Sequence, residues 1–395
     1  MSKVLLGDVA AERRETCKGS KDGYPTVGLE HLTPEDITLT SWDEGSDNTF
    51  TKMFLKGDVL FGRRRAYLKK AAVAPFDGIC SGDITVITAK PNYLLPELLP
   101  FIIQNDTLFD FAVEKSAGSL SPRVKWEHLK NYEFSLPDME KQHELSELLW
   151  AMDATKKSYQ RLVAATDELV KSQFIEMFGD PVENPKGFPI KRISDFTDVL
   201  TGATPSRKGE GYYGGDIPWV KTGEIESGLI KSTEESITYK ALQETNCKIL
   251  PIGTVMVAMY GQGKTRGTSG ILQIEAATNQ ACAAILPCDK LNPVFLHQFL
   301  VNEYERLRGM GRGAQQANLN LSMIKNYPIV DVPHSLQEQF AYFVLQSDKS
   351  KFAVLSCLKH RLPLRFQDLE TIRYLIDPSG RREFSQQLSQ ENYNG

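Results

Sequence analysis

The sequence predicts an α+β chain built from two mixed α/β segments and two long helices, laid out as an internal repeat. Three observations predict it: a helical seam from Asp138 to Gly179, a second seam after Pro333, and matching lead-ins to both. In the first seam Leu145, Met152 and Tyr159 recur at seven-residue steps, beside the row Leu149, Lys156, Val163, Val170, Met177 and a third row of Leu148, Leu162 and Leu169. That period is the stripe of a helix seeking a partner. Glu144, Glu147, Asp153, Lys157, Arg161, Asp167, Glu168 and Lys171 are expected on its outer surface. Gly179 and Pro181 stop it. A helix of about 40 residues is a rod of roughly 60 Å, too long to bury its stripe alone. The partner seam runs through Gln337, Phe340, Phe343, Val344, Val354, Leu355, Leu358, Leu362, Leu369, Ile372 and Leu375. Lys130-Asn131-Tyr132 leads to Pro137, and Lys325-Asn326-Tyr327 leads to Pro333, so the offset is 195 residues at the lysine and 196 at the proline. A repeat near half the chain length defines the architecture.

Taken in order, residues 1–137 form the first mixed domain, with strands near Thr26–Leu29, Val59–Phe61, Ala71–Ala74 and Ile84–Thr88. A helix from Leu95 to about Val113 and a loop through Ser116-Ala117-Gly118-Ser119 close it. Residues 138–179 are the first long helix and 180–187 a linker. Residues 188–333 repeat the plan, with strands near Pro218–Val220, Thr254–Met259 and Ala281–Leu286, a helix from about Pro293 to Arg308, and a loop from Gly309 to Gln316. Residues 334–376 are the second long helix, where Pro363 removes a backbone bond and predicts a break between about Arg361 and Leu364. Residues 377–395, rich in Gln, Ser, Asn and Arg, read as a solvated tail.

At 395 residues, 41% hydrophobic and 24% charged, the chain has room for two or three cored domains. No apolar run approaches the ~18 residues of a membrane span, and no signal-peptide pattern opens the chain. Six cysteines without a C-x-x-C read as buried thiols of a cytoplasmic protein, and Cys282 and Cys288 have no histidine pair at ligand spacing, which argues against zinc. A net charge of −4 excludes a uniformly basic surface but not a local basic groove.

Two loops carry the candidate chemistry. Arg63, Arg64, Arg65, Tyr67, Lys69 and Lys70 put five cations and a tyrosine into eight residues after a strand, a density suited to phosphates and a guanine edge. A solvated turn is the alternative. Its counterpart holds Tyr260, Gln262, Lys264, Thr265 and Arg266 among glycines. This loop resembles G-x-x-x-x-G-K-[ST], but Ala258 stands at the first glycine, and Gly267 and Gly270 oppose the helix a phosphate cradle needs. A third set is Arg308, Arg312, Gln315, Gln316 and Asn318, opposite Lys115, Ser119, Arg123 and Lys125 in the first half; Gln and Asn suit adenine and Arg suits guanine. A polar connecting loop is the alternative there. The motifs of amino methylation, zinc proteolysis, serine hydrolysis and metal-dependent nucleases are absent. The readings are therefore a two-headed DNA-binding chain, a P-loop-like nucleotide-binding enzyme using residues 260–268, or a coiled-coil adaptor that binds no DNA.

Several stretches together resemble the DNA-specificity (S) subunit of type I restriction–modification systems, over roughly residues 1 to 376. They are Lys56-Gly57-Asp58-Val59-Leu60-Phe61-Gly62, Gly78-Ile79-Cys80-Ser81-Gly82-Asp83, Phe174-Ile175-Glu176-Met177-Phe178-Gly179-Asp180-Pro181, Ile217-Pro218-Trp219-Val220-Lys221-Thr222-Gly223-Glu224-Ile225, and the loop from Tyr260 to Lys264. Pro137 with Gln142, and Pro333 with Gln339, add a duplicated helix start. The resemblance implies two target recognition domains related by a pseudo-twofold repeat, separated by two long antiparallel helices that form a coiled-coil spacer. Each domain would read one half of a split double-stranded DNA site, with half-sites about one ~34 Å duplex turn apart. It implies a non-catalytic chain that holds two methyltransferase (modification) subunits and joins restriction/translocase subunits. S-adenosylmethionine, ATP and Mg would belong to those partners.

Overall fold

The structure is a computed structural model that describes residues 2–45, 49–118, 120–181, 183–208, 211–261, 263–311 and 318–361, without the side chains of Ser227 and of residues 352–361. The described residues fall into two units: the chain up to Gln160 with the residues after Leu355, and Arg161–Leu355. Pro363 and the tail from 377 lie outside the described residues.

The first unit runs β1 (Ser2–Leu5), α1 (Leu6–Val9), β2 (Ala10–Glu12), β3 (Thr26–Val27), β4 (Lys52–Phe54), β5 (Val59–Gly62), β6 (Ala71–Val73), β7 (Gly78–Cys80), β8 (Ile84–Ala89), α2 (Leu99–Ile103), α3 (Asp106–Glu114), α4 (Trp126–Leu129), β9 (Glu133–Leu136) and the start of α5 (Met139–Phe178). Its sheets are β2-β8-β5-β6, β3-β7-β4 and the pair β1·β9. The second unit takes the rest of α5, then β10 (Ile190–Arg192), β11 (Val199–Thr201), β12 (Tyr213–Val220), β13 (Leu229–Ile230), β14 (Ser236–Ile237), α6 (Tyr239–Glu244), β15 (Val255–Ala258), β16 (Ser269–Leu272), β17 (Ala277–Thr278), β18 (Cys282–Ile285), α7 (Pro293–Asn302), α8 (Tyr304–Gly309), α9 (Leu321–Lys325), β19 (Pro328–Val330) and α10 (His334–Arg361) as far as Leu355. Its sheets are β11-β18-β15-β16-β13, β14-β12-β17 and the pair β10·β19.

The repeat extends to strand register. Val59 pairs with Val73 and Ile87, and Val255 pairs with Ile271 and Ile285. Phe54 faces Gly78 as Leu250 faces Ala276. Both central strands, β5 and β15, are buried at every residue because sheet neighbours and core cover both faces. Each is entered by a glycine in the left-handed region, Gly57 at φ +91° and Gly253 at φ +86°, whose N–H bonds to Ala74 O and to Leu272 O at 2.9 Å in both cases.

Four expectations are corrected. The helix expected over Leu95 to Val113 is two, because the Asn105 side chain accepts from Thr107 N at 2.9 Å and caps α3. The helix expected over Pro293 to Arg308 also breaks, at Glu303, whose carboxylate turns inward to Tyr327 Oη at 2.9 Å. On α5 the inner face holds Gln142, Leu145, Ser146, Asp153, Val170, Phe174 and Phe178, while Leu148, Leu162 and Leu169 are exposed. Asp153 is buried because it pairs with Lys157 at 2.8 Å, and Lys157 also bonds to Thr38 Oγ1 at 3.1 Å. Finally, the glutamine matching Gln142 is Gln337, buried like it, whereas Gln339 is exposed.

Within the second unit the long helices meet. Phe174 and Phe178 pack edge-on against Phe340 at 5.4 and 5.5 Å, and both contact Phe295. Further along α10, Lys351 Nζ reaches Asp167 Oδ1 at 2.6 Å. The paired numbers rise on one helix as they fall on the other, so the two run antiparallel there. Burying a phenylalanine contributes about 2–3 kcal/mol, and this cluster has several.

Candidate nucleic-acid interface

In the first unit the candidate loop is the hairpin turn between β5 and β6. Its two ends are drawn together by Gly62 N donating to Lys70 O at 2.8 Å. Arg65 and Lys69 flank a short 3-10 turn, both in the left-handed region at φ +55° and +50°. Two such non-glycine residues four apart are uncommon. Outside contacts hold them: Arg65 N donates to Pro122 O at 2.9 Å, and Lys69 O accepts from Glu35 N at 3.3 Å. The cations are not equivalent. Lys70 Nζ donates to Leu29 O at 2.6 Å, and Lys69 pairs with Asp106. Arg64 donates to Ser121 Oγ at 2.6 Å and lies 3.5 Å from Asp83. Arg65, Tyr67 and Lys125 are exposed, and Arg63 is half-buried, its Nε without a partner among the described residues.

Arg123 is brought beside this loop from 60 residues further along the chain. It exchanges two 3.0 Å backbone bonds with Ala117, and the next residue, Val124, donates to Arg63 O at 3.0 Å. Its guanidinium grips Asp83 twice, Nε at 2.7 Å and Nη2 at 3.2 Å. That pairing, followed by the nearby charges of Arg123, Arg64 and Arg63, holds the Asp83 carboxyl below the usual carboxylate range. Ser121 carries no signal in the sequence, and Asp83, though it closes the Gly78–Asp83 stretch, carries none that pairs it with Arg123.

The second unit uses the same frame. Leu319 N donates to Met259 O at 3.1 Å as Val124 does to Arg63 O, and Met259 N donates to Ala281 O at 2.8 Å as Arg63 N does to Asp83 O at 3.0 Å. The side chains differ. Here the loop is braced by α8: Tyr304 Oη donates to Lys264 O at 2.6 Å, Arg308 Nη1 donates to Tyr304 Oη at 2.6 Å, and Arg308 Nη2 donates to Gly263 O. Thr265 Oγ1 donates to Glu226 at 2.6 Å, Tyr260 and Lys264 are exposed, and Arg266 is half-buried. Arg308, grouped with the loop cations in the sequence, is thus a brace. Gln262, Arg312, Gln315, Gln316 and Ser119 lie outside the described residues. After Lys264-Thr265 the chain enters strand β16, paired antiparallel with β15, so the loop has no helix N-terminus to cradle a triphosphate.

Among the described residues no group of three His, Cys, Asp or Glu side chains could hold a metal ion. Burial pushes the thiols of Cys80 and Cys282 up to about 12, far from nucleophilic. No described helix is long and apolar enough to cross a membrane.

Like frames carrying unlike loops define a duplicated recognition scaffold. Residues 3–163 and 185–372 match the family described as the type I restriction modification DNA specificity domain, and the chain belongs to that family. Over 362 residues it is 26% identical to the type I restriction enzyme HindI specificity subunit of Haemophilus influenzae, covering 71% of this chain and 77% of that one. Over 160 residues it is 30% identical to the MjaIX specificity subunit of Methanocaldococcus jannaschii, covering 39% of this chain but only 36% of that protein's length. In fold it is similar to the S subunit of the type I system from M. genitalium, with a TM-score of 0.55 at 12% identity over 91% of this chain and 92% of that one.

Proposed function

We propose that this chain is the DNA-specificity subunit of a type I restriction–modification complex, reading a split double-stranded DNA site with one head per half-site. The single observation that carries the reading is the shared backbone frame of the two loops with different residues displayed on it. A protein reading one target twice would keep the side chains; one reading two half-sites keeps the frame and varies the surface. Phosphate contacts from exposed cations such as Arg65, Lys125 and Lys264 supply affinity and register in this reading, and groove contacts come from Tyr67 on the first loop with Arg123 beside it and from Tyr260, Thr265 and Arg266 on the second. Base readout from Gln262, Arg312, Gln315 and Gln316 belongs to the same reading. The partners are two methyltransferase subunits and, in the cleaving complex, restriction/translocase subunits. Catalysis, with S-adenosylmethionine, ATP and Mg, resides on those partners rather than on this chain.

The test is methylation mapping of DNA from cells expressing this chain with its methyltransferase partner. A two-part motif with a fixed gap is expected. A contiguous motif overturns the split-site reading, and methylation without sequence preference overturns it in favour of a coiled-coil adaptor.

A further inference from the structure

The Asp83–Arg123 pair is oddly placed for a surface whose only task is to attract phosphates. A carboxylate set among Arg63, Arg64 and Arg123 removes positive charge where phosphates would dock. Its geometry gives it another use. Arginine has five N–H donors in a rigid fork. Asp83 accepts from Nε at 2.7 Å and from Nη2 at 3.2 Å. That leaves both Nη1 hydrogens and one on Nη2, the adjacent edge that matches guanine O6 and N7. The Arg123 side chain is 41% exposed while Asp83 is 20% exposed, so the anchor is the more covered partner and the guanidinium the more accessible one. Both residues are fixed at the backbone: Arg123 by its paired 3.0 Å bonds with Ala117, Asp83 by its carbonyl accepting from Arg63 N. In the second head Ala281 occupies the place of Asp83, so no side chain there can grip an arginine in this way.

We propose that Asp83 is a positioning residue for base readout: it presents Arg123 as a preformed fork to a guanine edge in one half-site, a device that Ala281 cannot supply at the matching place in the second head. The proposal rests on the DNA-reading assignment above and names which head reads guanine through a clamped arginine.

The experiment uses the assembled methyltransferase and a DNA library randomised at each position of the recognition site, read by methylation mapping. Asp83→Ala is expected to relax preference at a single base pair of one half-site by roughly 5- to 150-fold, the discrimination of one bidentate contact. Preference in the other half-site stays unchanged. Arg123→Lys keeps the charge but lacks the planar fork, so the same single position relaxes; because this side chain is only half-buried, this variant carries the test should Asp83→Ala not fold. Wild-type preference in both variants overturns the proposal, and so does an even loss across both half-sites. A wild-type enzyme with no two-part motif instead removes the underlying DNA-reading assignment, so the two failures are distinguishable.

Discussion

Gln337 repeats the hydrogen bonds of Gln142. Gln142 accepts from Leu95 N at 2.9 Å and donates to Tyr93 O and Pro137 O at 3.2 and 2.9 Å; Gln337 accepts from Asn292 N at 2.8 Å and donates to Lys290 O and Val332 O at 3.2 and 2.8 Å. Both side chains are 1% exposed. Each ties the first turn of a long helix to the segment just before its own head's helices. Replacing either by Ala strands buried backbone groups, at a cost on the order of 3 kcal/mol. Urea unfolding of Gln142→Ala and Gln337→Ala should show a loss of that size in each. A change under ~0.5 kcal/mol would mean the amides are dispensable.

Tyr304 braces its loop without being part of it. Tyr304→Phe removes the bonds to Lys264 O and from Arg308 while keeping the ring. One bond is exposed and the other only part-buried, so stability should move by about 1 kcal/mol. Methylation of cognate DNA by the assembled enzyme should fall, with selectivity lost in one half-site only. Unchanged selectivity would separate this brace from readout.

The loop cations should sort by their partners. Arg65→Ala and Lys125→Ala, at exposed side chains, should each reduce the salt slope of DNA binding by about one. Lys70→Ala should lower the slope less than Arg65→Ala, because its ammonium is half-buried and held at Leu29 O and so is less available to a phosphate. In the second head, the double change Lys264→Ala with Arg266→Ala should weaken cognate methylation. Binding of labelled duplex across a salt series by the full complex checks the first three, and equal slopes for Lys70→Ala and Arg65→Ala would refute the sorting.

His297 makes stability depend on pH. Burial lowers it to about 4 despite the opposing charge of Asp348, and its Nδ1 lies 2.9 Å from Ser269 Oγ. The folded value is below the ordinary one of about 6.5, so the fold prefers the neutral ring. The contribution is full above about pH 6.5 and is lost as pH falls toward about 4. Urea midpoints measured down this range should decline, and His297→Gln should flatten the decline. An equally steep decline in the variant would place its origin elsewhere.

The two long helices are legible because a seven-residue apolar period survives in any environment, and the repeat because Lys-Asn-Tyr and proline recur at one offset. The faces are less legible. Leu148, Leu162 and Leu169 have the right chemistry for a seam yet are exposed, while Asp153 is buried through Lys157. Periodicity gives the stripes of a helix, but which stripe is covered depends on what packs there. The breaks at Asn105 and Glu303 escape the sequence for a related reason, since each depends on a side chain finding a partner that propensity does not see.

Local pattern and spacing are enough to show that the chain is doubled, where its rods start, and which two loops hold the cations. Which cations are spoken for emerges only once the chain is folded. Asp83 lies 40 residues from Arg123, and Tyr304 lies 40 from Lys264, and only the folded sheet brings each pair within hydrogen-bond reach. A charge's availability is set by its neighbours in space, and linear order does not record them.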